Sequence, residues 1–363
     1  MRTLLTLLAI PSLVMACGSG PKGLGDAEEI RVAALLADYT GADRPGACLL
    51  ARHEGAVVYQ RCVGLAELET GRAATPETNF RLASLTKQFT ATAVLRLVQD
   101  GSLATSTTLR TVFPDFPPYG AAITLHHLMT HTSGLIDYED LMGADTVEQI
   151  KDAGVLALMK AQDSTYFPPG SAFRYSNSAY AVLAQVVERL SGMPFARYLE
   201  TTIFDPLGMT NTVAHEAGVT TVAHRAYGYS RLADGAWART DQSPTSAVLG
   251  DGGIYSSLKD LSRWLAVVEG RARLLDPAIA ARAFEEARLT GGAGAGYGYG
   301  WFIDDYRGHP RFRHEGSTIG FRNAVQRLPD ADLSVLFLSN RNEIDSTLVE
   351  SLVDVFLSRY GGS

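Results

Sequence analysis

With 363 residues, 46% of them apolar and 20% charged, the chain can build one large domain or two intimate ones, which excludes a disordered polypeptide. A balance of 32 Lys and Arg against 39 Asp and Glu gives a net charge of −7, and with no basic block nothing points to a nucleic-acid partner. After the first 17 residues no apolar run reaches membrane-spanning length.

Met1 and Arg2 make a short positive start, Thr3 to Val14 is apolar, and Val14-Met15-Ala16-Cys17 ends the run with a small residue before a cysteine. This predicts a signal peptide over 1–16 and lipid attachment at Cys17, with a Gly-rich tether within 17–26. An ordinary secretory signal cut nearby is the alternative. Both readings place the folded part, 27–363, outside the cytoplasm, periplasmic or on the cell surface, with a membrane contact only through the anchor.

Asp26 to Tyr39 carries Ile30, Val32, Leu35 and Leu36 at helical spacing and predicts an amphipathic helix. Ala47 to Ala51 and Val57 to Val63 read as two strands joined at His53-Glu54-Gly55. With a three-residue loop and a bulge, Cys48 faces Cys62, as a cross-strand disulfide or as two packed thiols.

Phe80 to Asp100 predicts a buried helix, apolar on almost every face from Leu85 and stopped by Gly101. It places Ser84 and Lys87 one turn apart. A serine at a helix start lies beside unpaired N–H groups, a lysine three residues on points back over it, and burial favours the neutral amine. Lys87 can then act as base toward Ser84. The alternative is a helix cap and a lysine reaching solvent.

From about 104 to 241 the periodicity is helical and punctuated by prolines, an insert between two α/β parts at about 27–103 and 242–363. Within it, His127 and His131 stand four residues apart with His126 adjacent. That spacing suits a metal, but no glutamate completes a zinc motif, so a helix end is the better reading. Tyr175-Ser176-Asn177 follows a Pro168-Pro169-Gly170 turn and precedes an apolar helix over Ala179 to Leu190. A phenol near a lysine can carry a proton, and an asparagine amide can hold a substrate carbonyl and orient the lysine. Gly291 to Gly300 is similar to nucleotide loops, but lacks the Lys-Ser/Thr and the following helix.

Late in the chain Tyr299 to Ile303, Phe321 to Leu328 and Leu333 to Leu338 read as strands, with a closing helix over Thr347 to Tyr360. Together with the early hairpin they predict an α+β fold, one five-stranded antiparallel sheet flanked by the first and last helices. His314-Glu315-Gly316-Ser317 lies between two strand signals. Gly316 would let a substrate lie along an edge strand, and the Ser317 N–H would add to that of Ser84 as an oxyanion donor.

Ser84-x-x-Lys87, Tyr175-Ser176-Asn177 and His314-Glu315-Gly316, in this order, resemble the serine β-lactamase and penicillin-binding-protein superfamily, whose signature is Ser-x-x-Lys, Ser-Asp-Asn and Lys-Thr-Gly. The middle motif is similar to the Tyr-x-Asn of the class C branch and its relatives, which include esterases, D-aminopeptidases and carboxypeptidases. The resemblance covers about Ala27 to Arg359, helped by Leu128-Met-Thr-His-Thr-Ser-Gly-Leu135 and Asp205-Pro-Leu-Gly-Met209. It implies a β-lactamase/transpeptidase-like fold and an acyl-enzyme at Ser84, with Lys87 and Tyr175 moving protons and no metal or cofactor. The expected partner is a small-molecule or peptide substrate.

The Lys-Thr-Gly position departs from the family pattern. Histidine is only partly protonated near neutral pH, and Glu315 would add negative charge unless alternation turns it away. Neutral esters or amides, D-amino-acid derivatives among them, are therefore expected to turn over better than anionic β-lactams. No second glutamate is marked as a deacylation base, so Tyr175 and Lys87 must serve both half-reactions. A β-lactamase or D-alanyl-D-alanine carboxypeptidase is the alternative within the class. A lipid-anchored protein that binds peptidoglycan or peptides without turnover is the alternative outside it.

Overall fold

The structure, a computed structural model, describes residues 23–143 and 145–361; the expected signal peptide over 1–16 and Cys17 lie outside the described residues. Its centre is an antiparallel sheet of β1 (Ala47–His53), β2 (Ala56–Val63), β3 (Phe302–Tyr306), β4 (His309–Thr318), β5 (Phe321–Leu328) and β6 (Leu333–Ser339), in the order β3-β4-β5-β6-β1-β2. The two central strands explain the layering. In β1, Cys48 and Leu50 join one apolar core while Ala47, Leu49 and Ala51 join the other; in β6, Leu336 and Leu338 are divided likewise from Val335 and Phe337. Strands covered on both faces need apolar residues at every position, so they read as continuous rather than alternating runs.

One face is covered by α1 (Asp26–Leu35) and α9 (Leu348–Tyr360), through Val32, Leu36, Leu352, Val353 and Phe356. The other carries α2 (Thr86–Gln99), α8 (Leu258–Val268) and the inserted region, with α3 (Leu125–Met129), α4 (Tyr138–Leu141), α5 (Asp152–Lys160), α6 (Asn177–Ser191) and the single turn α7 (Leu249–Gly252). Phe89 of α2 packs against Phe204 and Trp264, ring centroids 5.7 and 4.4 Å apart. The insert is not purely helical: Tyr229–Arg231 pairs with Trp237–Arg239, and Val213–Ala214 with Ile254–Ser256. No helix among the described residues is long and apolar enough to cross a membrane.

The expectation of five strands is corrected to six. The additional strand is β4, and His314-Glu315-Gly316-Ser317 lies within it rather than in a turn. Ion pairs hide its strand pattern: Arg311 and Arg313 both bind Asp304 of β3, at 2.7 and 2.9 Å, and Arg311 also meets Glu350 of α9 at 3.3 Å. Guanidinium stems cover this surface where alternating apolar side chains would otherwise announce a strand.

Cys48 and Cys62 are register partners, their Cα atoms are 4.1 Å apart, and their sulfurs are bonded. The pairing is reached differently from the three-residue loop expected. Glu54 and Gly55 form a tight turn with φ of +49° and +80°, and the extra residue is accommodated inside β2, where the register shifts after Ala51. Replacing both cysteines by Ala should lower stability by about 2–4 kcal/mol, read from denaturant midpoints. Titration of free thiol at Cys48 and Cys62 in the unreduced, denatured protein would overturn the bridge.

Candidate active site

Ser84 lies in the 3₁₀ turn Ala83–Leu85 that leads directly into α2, and the preceding Ala83 takes φ +49°, unusual for a residue with a side chain. Lys87, one turn on, is completely buried. A buried amine must be fully hydrogen-bonded, and this one is. Its Nζ donates to Ser84 Oγ at 3.0 Å, to Asn177 Oδ1 at 2.9 Å and to the Asp251 carbonyl at 2.9 Å. In the neutral form, the contact with Ser84 runs from hydroxyl to amine. The Tyr175 ring lies against the same nitrogen, 4.9 Å from its centroid. The Tyr175 hydroxyl is buried without a hydrogen-bond partner.

Two further elements fix these contacts. Ser176 caps α6 by accepting the N–H of Ala179, so Asn177 is the first helical residue and its amide projects from the helix start. The Asp152 carboxylate accepts the N–H groups of Leu249 and Gly250, at 2.8 and 2.9 Å, and so holds the turn α7 whose Asp251 carbonyl binds Lys87. Burial pushes the Asp152 carboxyl up to about 7 and that of Asp251 up to about 6, although Lys87 pulls the latter down. Tyr138 donates to Asp251 Oδ2 at 3.1 Å.

Across the pocket, β3 pairs only with His309–Arg313, which leaves the facing edge of residues 314–318 without a strand partner. A Cβ on Gly316 would stand 2.1 Å from the Leu82 carbonyl, so only glycine lets β4 approach the backbone that delivers Ser84. Ser317 is exposed and lines one small polar pocket with Ser84, Tyr138, Glu139, Asn177 and Asp251. Ser84, Lys87, Tyr175, Asn177, His314, Gly316 and Ser317 thus lie in one region.

His314 departs from the sequence expectation, whereas Glu315 follows the alternative in which alternation turns it away. His314 is buried, its Nδ1–H donates to the Glu315 carbonyl at 2.7 Å, and its Nε2 accepts from the Tyr297 hydroxyl at 2.8 Å. Burial, with Lys87 adding to it, pushes the imidazole down to about 3, so the partial positive charge expected at neutral pH is absent. Alternation along β4 turns Glu315 outward, paired with Arg313 at 2.9 Å. Two acidic residues line the pocket instead, the buried Asp251 and the exposed Glu139, whose Oε1 accepts from Asn177 Nδ2 at 3.2 Å, and the Arg81 guanidinium lines it as well.

Glu139, Tyr138, Asp251 and Asp152 were not identified as functional in the sequence. For α7 a signal exists in Gly250-Asp251-Gly252-Gly253: a Cβ at Gly250 would meet the Tyr180 carbonyl at 2.3 Å, a sign of close backbone approach. The histidines divide among other tasks. His127 Nδ1 accepts from the Thr124 N–H at 3.3 Å in a cap of α3, His126 Nδ1 meets the Tyr299 hydroxyl at 2.9 Å, and His131 binds the Ser176 N–H. The Gly-rich 291–300 segment packs against α2, where a Cβ on Gly300 would come within 2.9 Å of Gln88 Cα.

Comparison with known proteins gives a consistent assignment. The chain is 30% identical to a penicillin-binding protein of Bacillus subtilis over 81% of its own length and 68% of that protein's. It is 40% identical to the esterase EstB of Burkholderia gladioli over 44% of each chain, and 27% identical to a D-aminopeptidase of Brucella anthropi over 86% of this chain and 59% of that one. The octameric penicillin-binding protein homologue from Pyrococcus abyssi superposes with a TM-score of 0.79 and 25% identity, covering 92% of this chain and 77% of the other. Residues 32–352 match the family described as Beta-lactamase, and the chain belongs to that family of serine hydrolases.

Proposed function

We propose that the protein hydrolyses ester or amide bonds through an acyl-enzyme on Ser84, and the observation that carries this is the buried Lys87 amine 3.0 Å from the Ser84 hydroxyl. Lys87, once it has given up a proton, takes that of the hydroxyl as Oγ bonds to the acyl carbon, and the N–H groups of Ser84 and Ser317 receive the developing oxyanion. The C–O or C–N bond then breaks, and the leaving group takes a proton delivered through Tyr175. Water attacks the acyl carbon, gives its proton back through the same pair, and restores the Ser84 hydroxyl. Asn177 holds Lys87 by its oxygen and donates one amide N–H to Glu139, which leaves the other for substrate.

The charge around this pocket favours acyl groups without a carboxylate. Neutral His314 supplies no cation, the Arg81 guanidinium that lines the pocket is engaged by Ser246 and the Gly252 carbonyl, and Glu139 is an exposed carboxylate with no ion-pair partner among the described residues. Esters, and amides carrying an ammonium group, suit that field better than β-lactams or D-alanyl peptides, in keeping with the esterase and D-aminopeptidase among the relatives. Fluorophosphonate labelling with peptide mapping should place the phosphonyl adduct, and hence the nucleophile, at Ser84. Turnover of a short-chain aryl ester and an aminoacyl anilide should exceed that of a chromogenic β-lactam. Labelling at another residue would refute the nucleophile.

Two readouts probe the charge argument. Glu139→Gln should lower kcat/KM for the aminoacyl anilide by about ten- to a hundredfold and spare its N-acetylated counterpart; equal losses would assign Glu139 a purely structural part. Lowering the pH from about 7.5 to about 5 should change β-lactam turnover equally in wild type and His314→Gln, because His314 stays neutral throughout while the Asp251 carboxyl, at about 6, titrates in both. A rise with a midpoint near 6.5 in wild type that His314→Gln lacks would mean that His314 titrates in the site.

For location, the reading is an extracytoplasmic protein tethered by lipid at Cys17. The signal-like residues 1–16 and the bonded Cys48–Cys62 pair, at home in an oxidising compartment, support it. Mass analysis of the mature N-terminus, lipidated or not, decides it.

A further inference from the structure

We propose that His131 is the positioning residue that aims the Tyr175 phenol at the Ser84–Lys87 pair. This rests on the acyl-enzyme reading above, in which Tyr175 carries the proton. His131 holds the chain on both sides of that tyrosine: its carbonyl accepts the N–H of Arg174 at 3.0 Å, and its Nδ1 accepts the N–H of Ser176 at 3.0 Å. Its ring stacks on the Tyr175 ring between these two anchors, with centroids 4.2 Å apart and planes at 31°. One residue therefore fixes the backbone before, the backbone after and the side chain itself.

The conformation is an expensive one to keep. His131 adopts φ +58° with its side chain fully buried, and residues with a Cβ persist there only where the surroundings fix them. Because a backbone N–H can only donate, Nδ1 is the acceptor and the ring proton sits on Nε2, which has no partner. Burial, then the nearby Lys87 and His314, push this imidazole far below its ordinary range. His131 is accordingly a neutral prop rather than a proton carrier. Tyr297 closes the arrangement from the other side, its ring 4.6 Å from that of His131 and its hydroxyl on His314. With its own hydroxyl unbonded, Tyr175 relies on these contacts for its aim.

The test uses the intact protein and an aryl ester, with thermal unfolding as the check on folding. His131→Phe keeps a ring and removes the acceptor; kcat should fall about ten- to a hundredfold with KM within about threefold. His131→Asn places an acceptor where Nδ1 was and tolerates the left-handed backbone, so it should recover kcat to within about threefold of wild type. In a Tyr175→Phe background His131→Phe should cost nothing more, since no phenol remains to be misplaced. If His131→Phe does not fold, His131→Gly, suited to the same φ, carries the same expectations. Full additivity with Tyr175→Phe, an unchanged kcat in the folded Phe or Gly variant, or a folded Asn variant as slow as Phe would each overturn the proposal. Wild-type kcat in Tyr175→Phe alone would instead refute the proton-carrying role on which it rests.

Discussion

Ser84→Ala is expected to leave no measurable acyl-enzyme, and Lys87→Met to reduce turnover by roughly four to six orders of magnitude. The two side chains form one unit through their 3.0 Å contact, so losing either removes nearly everything the pair contributes. Methionine nearly matches the lysine in volume and keeps the buried site filled, which separates lost chemistry from lost packing. It also leaves the Asn177 oxygen and the Asp251 carbonyl without their donor, so a modest stability cost should accompany the rate effect. Single-turnover assays with an aryl ester, alongside fluorophosphonate labelling, give the readout. Hydrolysis by pure Ser84→Ala at a rate near wild type would end the assignment.

Gly316→Ala is expected to lower kcat by about a hundredfold and stability by about 1–3 kcal/mol, although it adds only one uncharged methyl group. That methyl would lie 2.1 Å from the Leu82 carbonyl, and a backbone oxygen cannot rotate away as a side chain can. Asn323 of β5, the register partner of Gly316, also donates by Nδ2 to that carbonyl, at 3.3 Å, and to Arg81's at 2.9 Å, so the segment entering Ser84 is held against the β4–β5 pair. Any retreat moves the nucleophile. Gly291→Ala is the control, since a Cβ there meets nothing within 4 Å. Similar losses in both variants would show that the close approach at Gly316 is not what matters.

What could be read from the sequence follows the range of the interactions. Ser84 and Lys87 are three residues apart where the 3₁₀ turn runs into α2, and Tyr175 and Asn177 flank the cap of α6, so local geometry alone exposes them. The grip on Lys87 by Asp251 spans a separation of 164 residues, and that of Asn177 by Glu139 spans 38, which no periodicity encodes. β4 escaped because charged side chains replace apolar alternation along it. His314 was recognised but not its state: the orientation that buries it beside Tyr297 depends on register, and burial, not residue type, sets its charge.

The Cys48–Cys62 bond also bears on how the molecule resists misassembly. β2 is the last strand of its sheet, with an open row of backbone donors and acceptors of the kind through which proteins exchange strands or stack into aggregates. The covalent link ties that strand to β1 near the end of the hairpin opposite its turn, so β2 cannot peel away and pass to a second copy. A proteolytic nick at Glu54-Gly55 would likewise leave it in place, and reduction, not cleavage, would be what frees this edge.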